Sequence, residues 1–438
     1  MHGALDFDAI GSSRACGLAA KRLTEGRKSL SPYAELTARL AEAVADVELP
    51  RLIPDLSLRV VLGIGEEKVA LAIGDGRVAL ADEAGEPDIV LAASSDTWAK
   101  VLESPPPATY HSFTAFQLAN PNFELTGAPL AIARARPALE RIFEQVVRAP
   151  AAAAAPVERD LGQVTGRYRT IRIGGVAHDI YYEEAGQGTP VLFLHTAGAD
   201  SRQFLAQLSD VSLAKSYRLI AADLPFHGRS MPPLSWDGSP YRLTADLYLS
   251  WCTAILEGIV GERAIVAGGS MGAAMSMVLA AERPGHLLGI VAIEPPFRSK
   301  GRRNPFQHNA NVHGSLHNAA YVRGIMSPMS PQAERRRASW IYSQGAPGIY
   351  PGDLSFYSDE FDGAVTAPRI DTRQTPAVLL SGDYDYSATP ADGAKLAELI
   401  PGSVHVIMKG LGHFPMCEHP DYFRPYLAQA LALVGQGR

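Results

Sequence analysis

Ile265-Val266-Ala267-Gly268-Gly269-Ser270-Met271-Gly272 decides the reading of this chain. A β-branched apolar run is cut by glycines around a serine, and Ala273-Ala274-Met275-Ser276-Met277-Val278-Leu279-Ala280-Ala281 follows, rich in helix formers. The pattern predicts a strand, a sharp turn and a helix, with Gly268-x-Ser270-x-Gly272 at the corner. Such a nucleophile elbow strains the serine backbone and leaves room only for glycine on either side. It lifts the Ser270 hydroxyl above the sheet and points the Met271 N–H, at the helix start, toward any oxyanion formed there. By itself Gly-x-Ser-x-Gly also describes an ordinary glycine-rich turn, so the partners of Ser270 must be sought elsewhere.

The 438 residues exceed one average domain, and 47% apolar with 20% charged residues is a globular composition. A net charge of −6 offers nucleic acid or a membrane surface no attraction. Three dispersed cysteines, Cys16, Cys252 and Cys417, predict neither a disulfide framework nor a metal site. The start, MHGALDFDAI, lacks the basic and apolar regions of a signal peptide, and no apolar run reaches membrane-spanning length. The expected setting is the cytoplasm, with no cofactor.

Residues 1–30 are expected to form an arm. Residues 31–148 carry a helical pattern from Pro32, then strand-like runs at 58–62, 69–73, 77–80 and 88–93. A helix start at Ser94-Ser95-Asp96, a further extended run at Phe123–Gly127 and a helix from about Pro129 to Val147 complete the region. Ile89-Val90-Leu91-Ala92-Ala93-Ser94, Thr97-Trp98 and Leu125-Thr126-Gly127 resemble the sterol-carrier-like (SCP-2-like) domain. That resemblance implies an apolar tunnel for lipid-like ligands; a packed domain serving homodimer contacts or substrate guidance is the alternative. Residues 149–159, rich in alanine and bounded by prolines, read as a linker.

From 160 to 438 strands alternate with helices, the order of a doubly wound α/β sheet. Val191–Leu194, Arg218–Ala222, the Ser270 strand, Leu288–Ile293, Ala377–Leu380 and Val404–Ile407 are the expected buried strands. A serine nucleophile needs a base, and the base an orienting acid. Gly382-Asp383-Tyr384-Asp385 and Gly410-Leu411-Gly412-His413 each lie just past a strand. With these motifs in order, the region resembles an α/β-hydrolase. The resemblance implies Ser270 as nucleophile, His413 as general base and Asp385 as acid, with Asp383 and Glu294 open as rival acids.

It further implies an oxyanion hole from Met271 and Ala197, although His195-Thr196-Ala197-Gly198 carries threonine where the family has glycine. His195 and His227 read as loop supports and Glu294 as part of the cleft floor. From about 295 to 369 the alternation fails, where the family inserts a cap. His308, His313, His317, Trp340 and Tyr342 there, with His195 and Thr196, are candidates for contact with substrate. The three histidines read as one polar helix face; without a suitably spaced carboxylate they predict no metal. The expected activity is hydrolysis of a carboxylic ester or lactone of a hydrophobic small molecule through an acyl-serine. Hydrolytic C–C cleavage of a diketone with the same residues, or a catalytically silent binding protein, are the alternatives.

Overall fold

The computed structural model describes residues 30–435 apart from Glu83, so the expected arm lies outside the described residues except for Leu30. Two compact units divide the chain, Met1–Pro150 and Ala151–Arg438. No helix among the described residues is long and apolar enough to cross a membrane.

The first unit is α+β. Its sheet joins β1 (Leu58–Ile64), β2 (Glu67–Gly74), β3 (Arg77–Ala81), β4 (Ile89–Ala93) and β5 (Glu124–Gly127) in the order β3-β2-β1-β4-β5. Alternation puts Val60, Leu62 and Ile64 on the face covered by the helices Pro32–Ala43 and Pro129–Val146. The core is aromatic: the Trp98 ring lies 5.2 Å from Phe123 and 5.9 Å from Phe143, with Phe116 stacked on Phe123 at 4.3 Å. The Trp98 indole N–H is satisfied by the Gly63 carbonyl at 2.8 Å. A helix at Phe113–Leu118, started by the Ser112 hydroxyl, was not expected from the sequence.

The second unit is built on an eight-stranded mixed sheet, β13-β12-β11-β10-β8-β9-β7-β6. The hairpin of β6 (Thr165–Ile173) and β7 (Val176–Ala185) is antiparallel. The remaining strands, β8 (Thr189–Leu194), β9 (Tyr217–Ala222), β10 (Ala264–Gly269), β11 (Leu287–Ile293), β12 (Ala377–Gly382) and β13 (Val404–Met408), run parallel to one another. β10 is buried along its whole length because helices cover both faces, so it reads as an unbroken apolar run. Parallel strands end at one edge of a sheet, and this edge carries Ser270, Glu294, the loop after β12 and the loop after β13.

Between β11 and β12 the chain makes a helical insertion, chiefly Gly314–Gly324, Gln332–Ser343 and Ile349–Leu354. The alanine-rich stretch is held to this unit: Ala152 donates to the Met329 carbonyl at 2.8 Å and accepts from His419 Nε2 at 2.8 Å. The Glu158 carbonyl accepts from Val211 at 3.1 Å. Much of the stretch read as a linker is therefore part of the second unit's surface.

Candidate active site

The turn between β10 and the helix Met271–Glu282 is set by its glycines. A Cβ on Gly268 would stand 2.1 Å from the Gly272 carbonyl oxygen, and one on Gly272 2.3 Å from that of Leu194. No other residue fits either place. Between them Ser270 takes φ 51° and ψ −106°, a sparsely populated region that costs about 1–3 kcal/mol where the surroundings enforce it. The Ser270 N–H donates to the Ile293 carbonyl at 2.8 Å, which ties the turn to the next strand.

His413 Nε2 lies 2.8 Å from Ser270 Oγ, and His413 Nδ1 lies 2.6 Å from Asp385 Oδ2. All three side chains are buried. With Nδ1–H donated to the carboxylate, Nε2 is left as the acceptor for the serine proton. The other Asp385 oxygen accepts from the Ser387 and Ala388 N–H groups at 2.6 and 3.1 Å. Asp383 turns elsewhere: it accepts from the Gly410 N–H at 2.7 Å and faces Lys409 Nζ at 3.7 Å.

The loop carrying His413 is held by a residue that sequence reading missed. Glu418 is buried; its Oε1 accepts from the Gly412 N–H at 2.7 Å and its Oε2 from the Phe414 N–H at 3.2 Å. The N–H and hydroxyl of Ser327 and Ser330 add two further donors, at 3.2 and 3.0 Å. Burial pushes the Glu418 carboxyl above its ordinary range, while these donors pull it back. Nothing in the motif marks Glu418, because half of its donors, Ser327 and Ser330, come from a distant segment.

The loop after β8, which carries Ala197, runs beside the elbow: a Cβ on Gly269 would stand 3.1 Å from the Thr196 methyl. The Thr196 N–H donates to Gln203 Oε1 at 2.9 Å and the Gly198 N–H to Asp353 Oδ2 at 2.7 Å. The Ala197 N–H between them meets no acceptor among the described residues, and the Met271 N–H opens its helix without an intrahelical partner. These are two donors of the kind an oxyanion requires. Threonine at 196 has a structural use: its hydroxyl meets that of Tyr342, which also accepts from Gln203 Nε2 at 2.8 Å. His195 supports the same loop, with Nδ1 2.9 Å from the Thr196 carbonyl and Nε2 accepting from the Leu224 N–H at 3.3 Å.

Glu294 lies at the end of β11, fully buried, with both oxygens 2.9 Å from the Gly382 N–H. Burial first, and Asp385 beside it second, push its carboxyl well above the ordinary value. Tyr357, from the insertion, has a buried hydroxyl beside Ser270 and Ser299 that makes no hydrogen bond of good geometry among the described residues.

The insertion's geometry separates its other candidate residues. His308 precedes the helix Gly314–Gly324 and is exposed, His313 is its exposed N-cap, and His317 is buried against the Tyr321 ring at 5.1 Å. They do not form one polar face. Trp340 and Tyr342 are two residues apart on one helix, about 200° round its axis. Tyr342 therefore points inward to Thr196 while Trp340 is 57% exposed. Among the described residues no group of three His, Cys, Asp or Glu could hold a metal ion.

The profile of the alpha/beta hydrolase fold family matches residues 189–420, more than half of the chain, and the chain belongs to that family. It is 30% identical over 125 residues to the AB hydrolase superfamily protein YisY of Bacillus subtilis, covering 28% of this chain and 44% of that protein. The chain thus spans less than half the length of that relative. It is 25% identical over 278 residues to a 2-hydroxy-6-oxo-6-(2'-aminophenyl)hexa-2,4-dienoic acid hydrolase of Metapseudomonas resinovorans, covering 58% of this chain and 87% of that protein. The enol-lactonase of Burkholderia xenovorans shares the fold, with a TM-score of 0.52 at 21% identity over 61% of this chain and 100% of the other.

Proposed function

We propose that the protein is a serine hydrolase acting on a carboxylic ester or lactone of a hydrophobic small molecule. The observation that carries this reading is the continuous hydrogen-bonded chain Ser270–His413–Asp385, at 2.8 and 2.6 Å. His413 Nε2 takes the Ser270 proton as Oγ attacks the carbonyl carbon. The oxyanion is met by the Met271 and Ala197 N–H groups. The imidazolium then protonates the leaving alcohol, and water, deprotonated by His413, releases the acid from acyl-Ser270. Asp385 holds the ring and balances its charge. The insertion acts as a cap, and Tyr342 and Tyr357 make the substrate chamber aromatic with a few hydroxyls.

A p-nitrophenyl ester tests this directly. It should acylate wild type in a burst of one equivalent where deacylation is slow, and the Ser270→Ala variant should show none. Absence of any burst or turnover on a range of esters and lactones would end the proposal.

A second reading, hydrolytic C–C cleavage with the same residues, is favoured by the identity to the Metapseudomonas enzyme, whose named substrate contains no ester link. The ratio of kcat/KM on a diketone to that on an ester separates the two.

We further propose that residues 31–148 form an SCP-2-like domain. Its strand order β3-β2-β1-β4-β5 supports this. The interlocked rings of Trp98, Phe116, Phe123 and Phe143 favour a packed role in assembly over a lipid tunnel. A cytoplasmic setting fits the free Cys252 and Cys417.

A further inference from the structure

The loop after β8 is gripped from the insertion at Gly198 as well as at Thr196. Gly198 stands at φ 71°, and a Cβ there would come within 2.6 Å of the Tyr350 ring. Its N–H donates to Asp353 Oδ2 at 2.7 Å. Tyr350 and Asp353 belong to the helix Ile349–Leu354 and, three residues apart, share one of its faces. Asp353 is completely buried and also accepts from Tyr241 Oη at 2.7 Å and from His227 Nε2 at 2.8 Å.

Both nitrogens of His227 are committed to acceptors, for Nδ1 lies 2.9 Å from the Pro225 carbonyl. A ring so placed donates twice and is an imidazolium. His195, 4.8 Å away, has one acceptor and one donor as neighbours and is neutral. Other groups facing the His227 ring are Asp353, Asp223 at the end of β9 and Tyr241. Burial alone would lower the His227 pKa, but the Asp353 carboxylate outweighs it and the value stands above the ordinary one. His195 is held below its ordinary value by burial and then by the charge on His227.

We infer that Asp353, with His227 as its counter-ion, is a positioning residue that fixes the Ala197 N–H for catalysis by holding the amide of Gly198. The inference rests on the proposed acyl-transfer reading of Ser270. The insertion thereby sets the oxyanion hole as well as covering it. Because the device needs the imidazolium, it is intact below the folded pKa of His227 and fails as pH rises through it.

The test is the pH profile of kcat and KM on p-nitrophenyl butyrate for wild type, Asp353→Asn and Asp353→Ala. Loss of an oxyanion donor costs about 10²–10³ in kcat, so displacing one should cost about 10–100-fold, more in the alanine variant, with KM changing far less. The wild-type alkaline limb due to His227 should vanish in Asp353→Asn. Wild-type kcat and an unchanged profile in both variants would overturn the inference. Nitrogen NMR of the wild-type protein covers the case of variants that fail to fold: His227 must show both ring nitrogens protonated at neutral pH, and a singly protonated ring also overturns it. Should wild type hydrolyse no ester, the acyl-transfer reading fails on its own; the His227 signal and the Gly198 amide shift, which must move in Asp353→Asn, still decide the clamp.

Discussion

Glu294 and Asp385 are two buried carboxyls linked through one residue. The Gly382 N–H donates to both oxygens of Glu294 at 2.9 Å, and the Gly382 carbonyl accepts from the Asp385 N–H at 3.1 Å. They do not share the charge equally. Asp385 has His413 and two backbone donors, whereas Glu294 has one N–H and a carboxylate neighbour, so Glu294 is the one held neutral.

Glu294→Gln should therefore keep activity at neutral pH within about threefold, because an amide can replace a neutral carboxyl. A raised carboxyl pKa means that stability is lost as pH rises through the folded value. Wild type should lose stability toward alkaline pH, and Glu294→Gln should flatten that slope in a denaturant series. A large loss of kcat in Glu294→Gln at neutral pH would show that the ionised form is needed.

For the triad, Ser270→Ala and His413→Ala should each lower kcat by about 10⁴ or more with the fold intact. Asp385→Asn should cost less than these but far more than Asp383→Asn, since Asp383 only ties Gly410 and Lys409. Steady-state kinetics with circular dichroism checks this; the reverse ranking of the two aspartates would reassign the acid.

Tyr357→Phe separates stability from function. Removing a buried hydroxyl that lacks a partner should raise stability by about 1 kcal/mol or leave it unchanged. If the hydroxyl serves the substrate beside Ser270, kcat/KM should fall by about tenfold. A variant equal to wild type in kcat/KM would remove Tyr357 from the site.

In the first unit, Glu140 is pushed up to about 7 by burial, against two Thr114 donors and Arg136. The unfolded carboxyl ionises near 4.5. Stability of that unit should fall as pH rises from the unfolded to the folded value, by about 3 kcal/mol in total. Glu140→Gln should abolish the slope in thermal unfolding followed across this range. An identical slope in the variant would place the titrating group elsewhere.

The elbow was legible because its cause is local. Glycine at 268 answers a backbone approach within five residues, and the apolar strands and helix formers around it are short-range patterns; only the need for glycine at 272 comes from afar, from the Leu194 carbonyl. Parallel topology places the ends of β10, β12 and β13 on one edge, and the order serine, acid, histidine there is what the resemblance to the hydrolase family implied. Asp385 against Asp383 was not legible, since residues two apart on an emerging strand share a side; only the fold brought Gly410 to one and His413 to the other. The insertion shows the same limit. Its composition announced aromatics and histidines, but which face met the loop after β8 depended on packing, which turned Tyr342 inward and Trp340 outward. Asp353 left no trace in any motif, because it draws its donors from segments far along the chain, and Glu418 joins its own turn to the distant Ser327 and Ser330. The sequence by itself determined where the strand turns and which residues can react. The tertiary structure alone decided which buried carboxyls are charged and which loops they hold, because burial and long-range hydrogen bonds exist only once the chain has closed on itself.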